Sequence, residues 1–210
     1  NRDSIRYLIS DSNSNTFYPE LLNRFNKFDT TLTLNDYKLL YYGFVFQEKY
    51  SAYADTKSEE IDEAINENDY GKAVLIVDTV LKEMPISLRA NYKKAVALYL
   101  FDSTSLFHSK YINRYSNLLK AILSTGDGLS CETAFKVIFV ADEYEIIYKY
   151  YLIKEIYGQA LQYPCDKMRI QPNESFKESL MYFDISESFI KMKEQFGNSE
   201  KPKKKKKKRD

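Results

Sequence analysis

The 210 residues, 44% of them hydrophobic, suffice for one domain with a real core. Only 6 Gly and 5 Pro argue for helices over a many-turned β sandwich. The net charge of +1 divides unevenly: KPKKKKKKRD at 201–210 carries +7, so the rest carries +1 less +7, or −6, which excludes a basic nucleic-acid-binding fold. With 1 His and 2 Cys, a structural zinc site cannot be filled without carboxylates.

The N-terminal residues Ile5, Tyr7, Leu8 and Ile9 predict a short helical turn before the polar run SDSNSNT. Pro19 then stands at a first helical position, and PELLNRFNKF places Leu21, Leu22, Phe25 and Phe28 on one face. Thr33 and Asp36 have the spacing of a capping box for the following helix. Within DYKLLYYGFVFQEKYSAY, Tyr37, Leu40, Tyr41, Phe44 and Val45 fall on one helical face. Leu39, Tyr42 and Phe46 cover much of the other, so this helix is expected inside the protein. Gly43 is expected to make room for a neighbouring backbone. The pattern breaks after Gln47, which places Tyr50 and Tyr53 as surface candidates.

Residues 58–123 predict a run of helices with short connections. SEEIDEAINE, capped by Ser58, turns Ile61, Ala64 and Ile65 inward. NDYGKAVLIVDTVLKEMP turns Tyr70, Ala73, Val74, Val77, Val80 and Leu81 inward and is stopped by Pro85. ISLRANYKKAVALYLF and SLFHSKYINRYSNLLKAIL complete the run. STGDGLS then reads as a tight turn, and AFKVIFVA as a strand. Asp142 and Glu145 mark the start of a helix over 142–157, closed by Gly158. CDKMRIQ and SLMYFDIS alternate as strands, with PNESFKE as their hairpin connection. A last helix, SESFIKMKEQF, is expected to dock through Phe189, Met192 and Phe196.

NDYGKAVLIVDTVLKEMP resembles the second helix of a tetratricopeptide (TPR) repeat, with Tyr70, Ala73 and Pro85 at the motif's aromatic, small and proline positions. Ala95 stands at the next small position. Ile61 and Phe107 stand where smaller residues are usual, so a TPR-like layer is expected and not a regular array. Together, YYGFVFQ, GDGLSCETAFKVI, CDKMRI and YFDIS resemble an uncharacterised Bacteroidetes family, a domain of unknown function whose members look secreted or lipid-anchored. That resemblance implies export and a TPR-like fold. It transfers no catalytic residue.

The fold expected is therefore α+β and mostly helical: TPR-like antiparallel helix hairpins packed with a small C-terminal β-α-β-β unit of about three strands. Residues 1–125 form the helical region, 126–198 the smaller unit packed on it, and 199–210 a disordered polybasic tail. No stretch of about 18 apolar residues spans a membrane. The chain opens Asn1-Arg2-Asp3 with no apolar signal core, as in a mature exported form or a trimmed chain.

No motif carries chemistry strongly. TGDGLSCET lacks the Lys and following helix of a phosphate loop, and supplies few of the oxygen ligands of a calcium loop. Cys131 and Cys165 pair or stay free. His108 lacks a sequence partner. The acids at Glu59, Glu60, Asp62 and Glu63, and at Asp142, Glu143 and Glu145, fall in first helical turns, where the dipole favours them. No catalytic residue, metal ligand or cofactor is assigned. The functional expectation is a noncatalytic protein- or peptide-binding or scaffold protein of the bacterial cell envelope. Its partner surface would use Asn91, Tyr92, Lys93 and Tyr99, with Tyr50 and Tyr53 as further candidates. The alternatives are an envelope hydrolase working through clustered carboxylates and a structural subunit of an envelope complex. Lys201, Lys203, Lys204, Lys205, Lys206, Lys207, Lys208 and Arg209 would touch anionic surfaces without specificity.

Overall fold

A computed structural model describes residues 1–197. The lysine-rich tail lies outside them. Helices α1 (Arg2–Ser10), α2 (Tyr18–Asn26) and α3 (Leu34–Gly43) open the chain. A 3₁₀ turn, Phe44–Phe46, extends α3. Helices α4 (Ser58–Asn66), α5 (Tyr70–Glu83), α6 (Leu88–Phe101) and α7 (Phe107–Leu123) follow, each packed on its chain neighbour. Their short connections make neighbours antiparallel. The chain then forms β1 (Phe135–Lys136), α8 (Val140–Glu145), a π-helical turn (Ile146–Tyr150), β2 (Ile156–Gln162), β3 (Cys165–Ile170), β4 (Leu180–Asp184) and α9 (Ser186–Gly197). The fold is α+β and mostly helical, as the periodicity predicts.

The caps explain where most helices start. Thr33 and Asp36 form the expected capping box. Asp69 accepts from Lys72 N, and Ser87 from Ala90 N. Helix α4 departs from expectation: its N-cap is Lys57 in a left-handed conformation, and Ser58 is the first helical residue without a capping bond. In α3, Tyr37, Leu39, Leu40 and Tyr41 are buried, which makes it the interior helix predicted. Gly43 makes room for side chains and not for a backbone. A Cβ there would stand 2.9 Å from the Tyr18 ring and 3.0 Å from Ile9 Cδ1.

The sheet has the order β1-β4-β3-β2, with β1 parallel to β4 and the other pairs antiparallel. Met168 opposes Met181, and both are fully buried with Ile170 and Phe183. The strand predicted over 134–141 shrinks to Phe135–Lys136 because tyrosines from the helical region take its backbone groups. Tyr42 Oη donates to Lys136 O at 3.0 Å, and Tyr50 Oη to Ile138 O at 2.7 Å. Tyr41 Oη accepts from Ile138 N at 3.1 Å. The backbone satisfied in this way has no need of a further ladder.

The helix predicted over 142–157 is the larger correction. Only Val140–Glu145 is α-helical, and the π-helical turn ends at Tyr150, two residues before Leu152, whose φ is +55°. A left-handed leucine stops helix propagation. Ile156, Tyr157 and Gly158 then enter β2, a fourth strand that the sequence reading missed; Gly158 marks a register shift and not a helix end. Phe189 packs against the core as expected, whereas Met192 is exposed. The predicted Phe196 contact lies outside the described side chains, which end at Glu194.

Candidate functional site

A cavity of about 690 Å³ opens where the helical layer meets α8 and its π-helical turn. Helix α4 contributes Ser58, Asp62 and Ile65, and α6 contributes Arg89, Tyr92, Lys93 and Val96. The opposite wall carries Tyr144, Glu145, Tyr148 and Lys149. Residues 89, 92, 93 and 96 share one face of α6 by helical spacing. The buried face of the same helix, with Ala90, Asn91, Lys94, Ala95 and Ala97, is packed into the protein.

Ion pairs fix the groove's polar groups. Arg89 Nε donates to Glu145 Oε1 at 2.6 Å, and Lys93 pairs with Asp62. Arg89 Nη2 also reaches Ala141 O at 3.4 Å, which ties α6 to the start of α8. Glu145 is buried, and its Oε2 has no hydrogen-bond partner among the described residues. The rings are fixed as well. Tyr92 lies 5.4 Å from Tyr115 between centroids, and Tyr144 stacks on Tyr148 at 6.3 Å. Lys149 Nζ sits 5.3 Å from the Tyr92 ring centroid. The wall therefore offers aromatic faces and charges held in place by partners.

Of the sequence candidates, Tyr92 and Lys93 belong to this groove. Asn91 does not: it is fully buried and donates to Pro85 O at 2.9 Å and to Ser87 O at 2.8 Å. It fixes the α5–α6 turn and anchors no ligand. Tyr50 is buried too, committed to the Ile138 carbonyl, so it is no surface residue. Tyr99 and Tyr53 are exposed, but neither lines the groove; Tyr99 meets His108 edge-on. Sequence reasoning missed Arg89, Tyr144, Tyr148 and Lys149 as site residues. The i, i+4 spacing of Tyr144 and Tyr148 puts them on one side of the helix expected over 142–157, and by itself it does not tell a groove wall from a packed face.

The second acidic cluster differs from its expected role. Asp142 and Glu143 stand in the first turn of α8, yet both are buried. Tyr41 Oη donates to Asp142 Oδ2 at 2.5 Å. Burial pushes the Asp142 carboxyl up to about 7; Glu145 adds to this, while Tyr41 and Arg89 oppose it. Burial, with Asp166 and Asp142 nearby, pushes Glu143 up to about 9. Neither Glu143 oxygen has a partner among the described residues. Gln159 donates to Asp166, whose carboxyl is also raised by burial. None of Asp142, Glu143 and Asp166 lines the groove. In α4, by contrast, Glu59 and Glu60 are exposed first-turn acids, as read from sequence.

The TGDGLS segment is closed by its own hydrogen bonds. Asp127 Oδ1 accepts from Thr133 Oγ1 at 2.5 Å and from Leu129 N at 3.0 Å. A Cβ on Gly126 would stand 2.0 Å from Thr133 O, so the turn requires glycine there. Cys131 pairs with Cys165, joining this loop to the start of β3 across a Cα separation of 5.8 Å. No helix among the described residues is long and apolar enough to cross a membrane.

Comparison with known proteins gives one family. The family described as "Domain of unknown function (DUF4919)" matches residues 3–194. No curated protein and no solved structure matches the chain.

Proposed function

The chain belongs to the DUF4919 family, and from that premise we propose a noncatalytic binding module that holds a peptide segment of a partner protein in the groove between α6 and the π-helical turn. The observation that carries this reading is the separation of shifted acids from the cavity. Asp142 and Glu143 have raised pKa values but are sealed, whereas the cavity wall presents tyrosine faces and ion-paired charges. A hydrolase acting through carboxylates needs them beside the bound substrate, with room for water. A recognition groove needs ring faces and a few polar anchors. Lys149, exposed on the groove wall, supplies such an anchor for a peptide carbonyl or carboxylate group.

An exported bacterial envelope setting is part of the proposal. The Cys131–Cys165 disulfide supports it, because such bonds persist in oxidising compartments. The sequentially packed helix pairs support the TPR-like reading. Exposed Phe101, Leu106 and Phe107 around the α6–α7 connection favour a scaffold role as a second reading.

Selection of peptides from a random display library against the intact protein tests the groove. Peptides that bind are expected to lose at least about tenfold in affinity on Tyr92→Ala or Tyr148→Ala, the loss of one buried ring anchor. Undiminished binding to both variants would contradict the proposal.

A further inference from the structure

A second cavity, about 490 Å³, lies between the chain after α2, helix α3 and helix α7. Arg114 reaches it from α7 and is buried, at 7% exposure. Its guanidinium carbon lies 3.6 Å from the Phe28 ring centroid and 4.4 Å from that of Phe25. Nη2 donates to Phe25 O at 2.6 Å, in the last turn of α2. Nε is buried without a partner. Among the described residues no carboxylate forms an ion pair with Arg114. Arg89, Lys93 and Lys94, the other cations of low exposure in the helical region, each pair with an acid: Glu145, Asp62 and Asp78. Arg114 is held instead by rings and one carbonyl.

We infer that this cavity is a binding site for an organic carboxylate, with Arg114 as its anion anchor. A buried guanidinium without a counter-charge is costly, and a bound anion offsets that cost. Desolvation lowers the Arg114 pKa to about 10, in keeping with that unmet charge. A helix-end carbonyl alone needs only one N–H, and the guanidinium has donors left over. The planar fork of arginine matches a carboxylate. The rest of the lining selects the ligand. Phe25, Phe28 and Tyr37 supply an apolar wall for its body. Lys110 and Asn117 supply further donors. Asp29 also lines the cavity, paired with Arg24 at 2.8 Å. Its charge disfavours a dianion, so a singly charged carboxylate fits better than a phosphate. The site is separate from the α6 groove and uses none of its residues.

Thermal unfolding of the intact protein, titrated with sodium benzoate at constant ionic strength, tests this site. Sodium phosphate serves as the second arm. Benzoate is expected to raise the midpoint saturably, and phosphate is not. Asn117→Asp puts a carboxylate into the same lining. It is expected to raise the midpoint without ligand and to abolish the benzoate response. Lys110→Glu, at an exposed position, repeats the test without touching the interior and is expected to weaken the response several-fold. A flat benzoate titration of the wild type would overturn the inference. So would saturation by phosphate in place of benzoate, or a response unchanged in both variants.

Discussion

The helical region up to Leu123 and the strand-bearing region after it are held together by different physics. In the first, apolar stripes do most of the work: Leu21, Leu40, Ile61, Val77, Leu88, Leu118 and Ile122 are essentially fully buried. Burial of this kind is insensitive to pH and redox state. The second region has a small sheet of short strands, which is marginal alone. It is secured by a disulfide, by tyrosine hydroxyls reaching from α3 and from Tyr50 beyond it, and by sealed carboxyl groups. These devices respond to reductant and to protons. The groove lies along the seam between the two regions, so one wall rests on apolar packing and the other on polar clamps.

The sharpest way to break this comparison is to damage each region in its own manner. Leu118→Ala should cost about 3–5 kcal/mol, because it opens a cavity in the fully packed helical core. Chemical denaturation should give the same loss in oxidised and reduced protein. Cys131→Ser should cost about 2–4 kcal/mol and remove the sensitivity of stability to reductant. An equal effect of reductant on wild type and Cys131→Ser would merge the two regions into one.

Proton linkage sharpens the contrast further. Glu143 has its folded pKa raised from 4.5 to about 9. Its protonated form is the one the fold accepts, so its contribution is fully present below about pH 4.5 and is lost as pH rises towards about 9. Asp142 acts in the same sense between 3.8 and about 7. Glu143→Gln mimics the protonated form. It should leave stability nearly unchanged at acid pH and increase it by about 1–3 kcal/mol near pH 9, after relaxation and water entry are allowed for. Denaturation curves across that range measure the difference; parallel curves for wild type and variant would contradict the sealed-acid account. A smaller effect is expected for Tyr41→Phe, which removes the hydroxyl shared by Asp142 and Ile138 N. It should cost about 1–3 kcal/mol. Amide exchange at Ile138 should rise more than exchange in α5.

The difference between the regions also explains what could be read in the sequence. Helices α2 to α7 were legible because their apolar residues recur at helical spacing and Pro19, Thr33 and Pro85 mark ends. The CDKMRI and LMYFD strands were legible by alternation. The run from Tyr144 to Gly158 was not, because Tyr and Ile suit either state. Its outcome depends on a left-handed Leu152 and on pairing with β3, both tertiary effects. The truncation of β1 depends on hydroxyls from residues 41, 42 and 50, about 90 positions away in sequence. Half of the groove was legible for the same reason: Tyr92 and Lys93 lie on a regular helix, while Tyr148 and Lys149 lie on the π-helical turn. Asn91 misled because its neighbours at 89, 92 and 93 line the groove while it turns in with Ala90 and Lys94.

The most direct measurement is amide hydrogen exchange of the intact protein with and without a saturating selected peptide. The account predicts slowed exchange in α6 and from Ala141 through the π-helical turn, on both walls of the groove at once. Slowing confined to β2 or to the α6–α7 connection, with α6 residues 89–96 unchanged, would contradict it.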